Sequence, residues 1–458
     1  KYISGTLWQW KEPIEGHKYI MGCLPPEEMV LTNDGLISIE DVDERHKLID
    51  ENGLYVNIIN KQKYDVIDED VYEIGLDNTF RTTKFTKEHP ILCSRDTLKR
   101  NYKKNDVNYR FNERYWDFDF NYIKAENLSI GNWIKVPNIY KKELNFDVNE
   151  KWIPNNENVR KDFLINSPLS NKDFWWFMGL WLGDGWIEKN KYSHSIVICF
   201  NKKEYCYTEK CIDIVKKIFN RSPLIRERQS TIELRFNSKE LYLFILENFG
   251  QYSYGKKITE WVKFIPIEYK KEIVRGYFDS DGCWLKTLQR NKINSKISFV
   301  SINLELLEGI QDILFSLGVI SSLNLLRESS ENLICGKPSK TKKTFNLNLS
   351  NYDSLELIKL IYDIDDIKLN KFDINEFSNI NNRVVSSCHF NKTKDFIYFR
   401  IKKINKTKLT GTVYNFETDT HTFMCHHITT HNCDVSRGDS EDFSSINIID
   451  FDDREQVL

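Results

Sequence analysis

The chain has 458 residues, 40% hydrophobic and 13% aromatic, which excludes both a single ordinary core and a disordered polymer. Its formal charge of −2 conceals a division. Residues 151–350 hold 31 Lys and Arg against 22 Asp and Glu, a net +9, whereas 433–458 hold two against eight, a net −6. No apolar run approaches a membrane span, and Lys1-Tyr2-Ile3-Ser4 lacks a secretory-signal pattern, so a cytoplasmic setting without a membrane partner is expected. Ten unevenly spaced cysteines in so large a chain fit reduced thiols, not a disulfide scaffold.

From residue 23 to about 137 the pattern predicts short strands broken by turns. Val30-Leu31-Thr32 runs into the turn signal Asn33-Asp34-Gly35 and then Leu36-Ile37-Ser38-Ile39. Val71–Leu76 and Phe80–Phe85 flank Asp77-Asn78 as a hairpin, and Trp133–Val136 is a further strand. Residues 138–172 are polar and Asn-rich, marking a boundary. The middle, about 173–390, mixes helices (Leu304–Leu317) with strands (Ile196–Phe200, Ile232–Phe236, Phe345–Leu349). Asn-rich and acidic residues from 363 to 382 mark a second boundary, after which Phe396–Ile404 and Thr412–Phe416 return to strand character. One β domain is thus expected to be split by an inserted α+β domain.

The two ends of the split domain carry complementary chemistry. Cys23 follows Gly22, so its thiol can attack the preceding carbonyl. His431-Asn432-Cys433 supplies a side-chain amide able to cyclise and a second thiol to receive the acyl group. Between them Thr86-Lys87-Glu88-His89 forms a Thr-x-x-His pair. This set resembles an intein, a Hedgehog/intein-type (Hint) splicing domain, in two parts, 23–140 and 392–432. The resemblance implies that Cys23 forms a thioester with His89 protonating the departing nitrogen and Thr86 hydrogen-bonded nearby. It implies that Cys433 accepts the acyl group and that Asn432 cyclises with help from His431. Histidine suits the role through a pKa near working pH. Ala125–Pro137 and Val413-Tyr414-Asn415-Phe416-Glu417 with His421-Thr422-Phe423 resemble two further blocks of that family; Asn415 and His421 are the supporting residues. Many inteins carry Asp where this chain has Asn415, and Asn cannot act as a base. A rival reading is a metal-binding module built from Cys425, His426, His427, His431 and Cys433, although these spacings fit no paired-ligand zinc pattern.

Phe177–Gly185 and Val274–Gly282 repeat one pattern: small residues four apart (Gly179 and Gly183; Gly276 and Ser280), then Asp-Gly. Small residues at that spacing let two helices meet backbone to backbone, and the terminal glycines are expected as helix stops. The pair resembles the motifs of a LAGLIDADG homing endonuclease over about 150–390, a pseudo-two-fold protein acting as a monomer on double-stranded DNA at an intein-free insertion site. The resemblance makes Asp184 and Asp281 the catalytic metal ligands, Mg²⁺ the cofactor, Lys263 a catalytic lysine and Lys343 a weaker one. Juxtaposed carboxylates call for a divalent cation on physical grounds as well. The basic middle suits DNA, or else is a Lys-rich solvated surface. An alternative is a splicing element whose middle binds DNA without cutting.

Joined across the split, 1–22 and 433–458 read as an apolar strand, Asp434, a turn and a second apolar strand. These flanks resemble the start of the RNase H-like nuclease domain of a phage terminase large subunit, with Asp434 as a metal ligand of that host once splicing has occurred.

Overall fold

The computed structural model describes residues 22–95, 99–100, 114–115, 118–141, 147–152, 166–289, 292–334, 337–350, 352–362, 392–393 and 395–432. Cys433, Asp434 and both flanks lie outside them. Contacts divide the chain into two compact units: one runs to Ile139 and resumes beyond residue 388, the other begins at Tyr140. No described helix is long and apolar enough to cross a membrane.

The first unit is strand-rich. Met29–Thr32 and Gly35–Ser38 form a hairpin with Thr32 opposite Gly35, whose φ of +99° is the left-handed conformation this turn requires. Its dominant feature is a ribbon of Tyr55–Leu76 against Phe396–Thr418, paired from Ile401↔Leu76 to Thr418↔Ile58 through three register shifts. The two short strands expected within 396–416 are therefore one. Val66, Val71 and Ile74 on one strand and Phe399, Ile401 and Val413 on the other are buried, and the polar tip of the ribbon is not. Thr82–Thr86 folds back onto Val71–Gly75. Pro90–Ser94 then crosses to pair with Asn121–Lys124, Trp133–Pro137 and, through Ile91↔Thr430, the hairpin Thr422–Cys425/Ile428–His431. Pro90 opens its strand, where a missing N–H costs least.

The second unit repeats one α-β-β-α-β-β-α plan twice. In the first half the helix Lys172–Asp184 leads into Gly185–Lys189, His194–Asn201, the helix Tyr205–Lys217, Leu224–Glu227, Thr231–Asn237 and the helix Lys239–Asn248. The second half runs Ile267–Asp281, Gly282–Gln289, Lys292–Ser301, Leu304–Ser316, Ser322–Arg327, Thr344–Ser350 and Tyr352–Ile361. Both sheets have the spatial order first-second-fourth-third. A hairpin, Ser330–Ile334 with Lys337–Thr341, is added only in the second half. Phe174 to Leu182 are buried without a break, so Lys172–Asp184 is a central helix covered on all sides. Asn171 caps it by accepting from the Asp173 N–H.

Candidate functional site

In the first unit Cys23 is held by backbone pairing of its neighbour. Leu24 and Tyr414 exchange two hydrogen bonds of 2.8 Å, which pins Cys23 against the strand carrying Asn415. Cys23 is fully buried with Val66 and Val413, and burial followed by the negative charge of Glu69 pushes its thiol up to about 12. The Cys23 N–H donates to Thr86 Oγ1 at 2.7 Å, and the Thr86 N–H donates to the Cys23 carbonyl at 3.0 Å. Gly22, which precedes it, has φ +25°, a value that glycine tolerates best.

His89 lies in the same pocket, fully buried, with its ring 5.0 Å from that of Phe85. Burial drives its pKa down to about 3; the Gly22 backbone pulls it up and His431 pushes it further down. A pKa near neutrality was the reason for expecting histidine here, and it does not hold: the imidazole is neutral at working pH, because a buried cation beside a second histidine is unfavourable. A neutral ring still offers one N–H and one lone pair.

At the end of the last described strand Asn432 is bracketed by two histidines. Its N–H donates to the His421 carbonyl at 2.8 Å, its Nδ2 stands 3.4 Å from His421 Nδ1, and its own carbonyl lies 2.5 Å from His431 Nδ1. The two rings stack at 6.0 Å with 14° between their planes, and Tyr122 packs edge-on to His431 at 5.1 Å. His421 has φ +58°, so the turn before the last hairpin is wound left-handedly to present it. Asn415 is fully buried, next to the Tyr414 that grips Leu24. The rival metal cluster is not assembled among the described residues: Cys425 faces the core, His426 and His427 pair with each other at 3.1 Å, and His431 serves Asn432.

In the second unit the helices Lys172–Asp184 and Ile267–Asp281 cross at their small residues. A Cβ added at Gly179 would lie 2.1 Å from the Ile273 carbonyl oxygen, and one at Gly276 would lie 2.0 Å from that of Trp176. Backbones at that distance bring the helix ends together, Asp184 beside Asp281. Both side chains still reach solvent, yet the protein packed around them, then Asp281, push Asp184 up to about 6 against the opposing pull of Lys256. Burial raises Asp281 too, again opposed by Lys256. Each carboxylate sits at a helix C-terminus, where the dipole is also unfavourable to an anion. Two converging hard-oxygen donors with excess negative charge fit a divalent cation such as Mg²⁺.

The glycines after the aspartates do not act as left-handed stops. Gly185 and Gly282 are extended, at φ −99° and −77°. They are needed for space, since a Cβ would lie 2.2 Å from the Trp181 ring and 2.3 Å from the Phe278 ring.

Lys263 is placed away from the acidic pair. Its Nζ is 2.8 Å from Asp312 and 3.0 Å from Glu260, with Tyr140 Oη at 3.4 Å. Burial alone would lower its pKa, but those two carboxylates outweigh it and hold the ammonium charged. It is a buried ion-paired strut. Lys343 is exposed and faces Glu328 at 3.6 Å. The lysine coupled to Asp184 and Asp281 is Lys256, which the sequence reading missed. Its buried Nζ donates to the carbonyls of Trp181, Leu182 and Gly183 at 2.8–3.1 Å, capping the first motif helix. Burial lowers it to about 8 against the pull of both aspartates. Nothing local separates Lys256 from Lys257 in the sequence.

Asp279 was also missed. It occupies the position that Leu182 holds in the first motif, is buried, and accepts from Trp176 Nε1 and Tyr207 Oη at 2.9 Å and from Tyr362 Oη. Superposing the two motifs exposes it as a carboxylate in an apolar slot.

The chain is 25% identical over 445 residues to a DNA polymerase of Thermococcus hydrothermalis, an alignment covering 94% of this chain and 25% of the polymerase. It is 24% identical to a reverse gyrase of Pyrococcus horikoshii, with 93% and 26% covered. It is 26% identical to a probable translation initiation factor IF-2 of Methanocaldococcus jannaschii, with 76% and 33% covered. The chain thus spans only a quarter to a third of the curated relatives it matches. Among solved structures, mesophilic variants of the homing endonuclease I-DmoI align at 19% identity over 42% of this chain and 94% of theirs, with a TM-score of 0.30. Residues 268–342, which include nearly all of the second motif helix and most of the sheet following it, match the LAGLIDADG-like domain family, and this part of the chain is a LAGLIDADG-like domain.

Proposed function

We propose that this chain is a self-excising intein carrying a metal-dependent DNA endonuclease. In this reading residues 23–140 and 392–432 form the splicing domain, 150–390 the endonuclease, and the flanks belong to a terminase large subunit. The observation that carries it is the bracketing of Asn432 by His421 and His431 in the same unit that holds Cys23 on Thr86 and beside His89. The breadth of the relatives supports it: one stretch of chain aligns with a minor part of a polymerase, a gyrase and an initiation factor, as expected of an element that moves between hosts.

The chemistry follows from the atoms. Cys23 Sγ attacks the Gly22 carbonyl carbon and the Gly22–Cys23 amide bond breaks, with the nitrogen gaining a proton. Thr86 fixes that nitrogen through its hydrogen bond, and neutral His89, near the Gly22 backbone, would turn an N–H to the same amide as the bond breaks. Cys433 Sγ then displaces Cys23 Sγ from the acyl group. Asn432 Nδ2 attacks its own carbonyl carbon: His421 Nδ1 is placed to take the Nδ2 proton, and His431 Nδ1–H to polarise the carbonyl oxygen. The Asn432–Cys433 bond breaks, and a sulfur-to-nitrogen shift joins Gly22 to Cys433.

In the endonuclease Asp184 and Asp281 would hold the cation, which when bound supplies Lewis acidity toward a phosphodiester and a more acidic attacking water. Lys256, poised near pH 8 beside them, balances their charge and can exchange a proton at the site. After splicing Asp434 would serve the host nuclease.

The test is the intact mass of the full chain with and without reductant. A free 23–432 fragment with a joined 1–22/433–458 peptide is expected, and Asn432→Ala should leave the C-terminal junction uncut. An unchanged 54.5 kDa precursor would refute splicing. Incubation with Mg²⁺ and duplex DNA encoding the joined flanks tests cutting; binding without cleavage would leave the splicing-only alternative.

A further inference from the structure

The ring of His431 has two aromatic neighbours. His421 stacks on it at 6.0 Å, and Tyr122 meets it edge-on at 5.1 Å with 75° between their planes. A ring contact fixes only one end of a tyrosine, and here the other end is tied as well: Tyr122 Oη donates to Glu51 Oε2 at 2.7 Å. Glu51 also reaches the strand opposite His431. Its N–H donates to Thr422 Oγ1 at 3.4 Å, and Thr422 is the cross-strand partner of His431. One residue therefore joins the tyrosine on the ring to the strand beside it. The turn that presents Glu51 has a fixed shape. Asp50 is buried, and its Oδ1 accepts from the Asn52 and Leu54 N–H groups at 2.9 and 2.8 Å. Gly53 completes the turn at φ +74°, where an added Cβ would lie 2.8 Å from Ile139 Cγ2.

We propose that Glu51 and Tyr122 are positioning residues for breakage of the Asn432–Cys433 bond, holding His431 at the Asn432 carbonyl while the side-chain amide closes on it. His431 Nδ1 lies 2.5 Å from that carbonyl oxygen, and Asn432 Nδ2 lies 3.4 Å from His421 Nδ1, so the two histidine rings must keep their places together. Cyclisation tolerates little displacement, because its atoms must already be close and aligned. His431 is the last residue of its strand, Ile428–His431, where the hairpin by itself restrains a side chain least. The strand Asn121–Lys124 supplies Tyr122 as a wall for the ring, and Glu51 keeps that wall in place. Both residues act through His431 and not on the reacting atoms. The inference rests on the splicing reading and deepens it.

The test treats the full chain with a small thiol until the Gly22–Cys23 bond is cleaved, then times breakage of the Asn432–Cys433 bond by intact mass. Tyr122→Phe and Glu51→Ala each remove the Oη bond and should slow the second cleavage by about three- to tenfold. Combined, they should be no slower than either alone, because both delete the same bond. Glu51→Gln, whose amide oxygen still accepts, should stay within about twofold of the parent. Tyr122→Ala also strips the wall from the ring and should slow the second cleavage by about thirtyfold. The first, thiol-driven cleavage should keep its rate in every variant, which separates positioning from a general loss of fold. A second cleavage unmoved by Tyr122→Phe and Tyr122→Ala, additive losses in the double variant, or an equal fall in both cleavages overturns the proposal while leaving splicing intact. A parent chain that never breaks the Asn432–Cys433 bond removes the splicing reading and the proposal together.

Discussion

Replacing Gly179 by Ala places a methyl 2.1 Å from the Ile273 carbonyl oxygen and 2.9 Å from the Tyr277 nitrogen, all backbone atoms of the facing helix. Ordinary contact needs about 3.4 Å, so the helices must part by roughly 1.3 Å, with no side chain able to turn aside. Overpacking of this kind costs about 1–3 kcal/mol, and a gap of that size forfeits up to about half of the dispersion across the rest of the crossing, which places the loss near 3 kcal/mol. The aspartates stand at the ends of these helices, so the same displacement should lower DNA cleavage by on the order of a hundredfold. Trp175, Trp176 and Trp181 are buried on this helix, and their emission in urea gives the stability directly. Gly276→Ala should behave alike. The double variant should cost little more than either single one, because helices already parted admit the second methyl. The splicing proposed for the other unit should proceed at an unchanged rate. Strict additivity, or a loss below about 0.5 kcal/mol, would refute the backbone-contact argument.

The other predictions concern charge and the junctions. Asp184 is raised from 3.8 to about 6, so the stabilisation associated with it is complete below pH 3.8 and lost as pH rises through 6. Asp184→Asn should therefore abolish cleavage yet stabilise the metal-free protein at pH 7–8 by about 1 kcal/mol, the roughly 3 kcal/mol of the shift being cut by solvent screening. Mg²⁺ should raise the urea midpoint of the parent chain and not that of Asp184→Asn with Asp281→Asn, which equilibrium unfolding will decide. Thr86→Ala removes one hydrogen bond from the Cys23 nitrogen and should slow thioester formation by about three- to tenfold, read by trapping with a small thiol. With its pKa near 3, His89 should contribute no inflection near pH 6.5 to the rate of the first step; one that disappears in His89→Gln would contradict the burial argument. Asn415→Asp puts a proton acceptor next to the Tyr414 that pairs with Leu24 and, on the splicing reading, should speed precursor loss by about tenfold, with a slower rate counting against that role.

Much of this molecule was legible in its residues. Cys23, Thr86, His89, His421, His431 and Asn432 were singled out through the family resemblance of the segments that carry them, and in the structure the Cys23 nitrogen meets Thr86 while Asn432 lies between His421 and His431. The motif helices were equally plain, since glycine and serine four apart mean little except a close crossing. The turn at Asn33-Asp34-Gly35 was visible because φ > 0 selects its residue locally.

The order of residues was enough to settle which groups are present and which short segments hold a fixed shape. Tertiary structure alone decided their surroundings. Lys256 and not Lys263 meets the aspartates because three carbonyls some 75 residues earlier accept its ammonium. Asp279 gains its partners from residues 72, 83 and 103 positions away. Gly185 and Gly282 are required by the rings packed on them and not by a left-handed turn. His89 loses its proton affinity because the fold removes it from water. Desolvation, close approach and long-range hydrogen bonds depend on atoms distant in the chain, and no local pattern of residues encodes them.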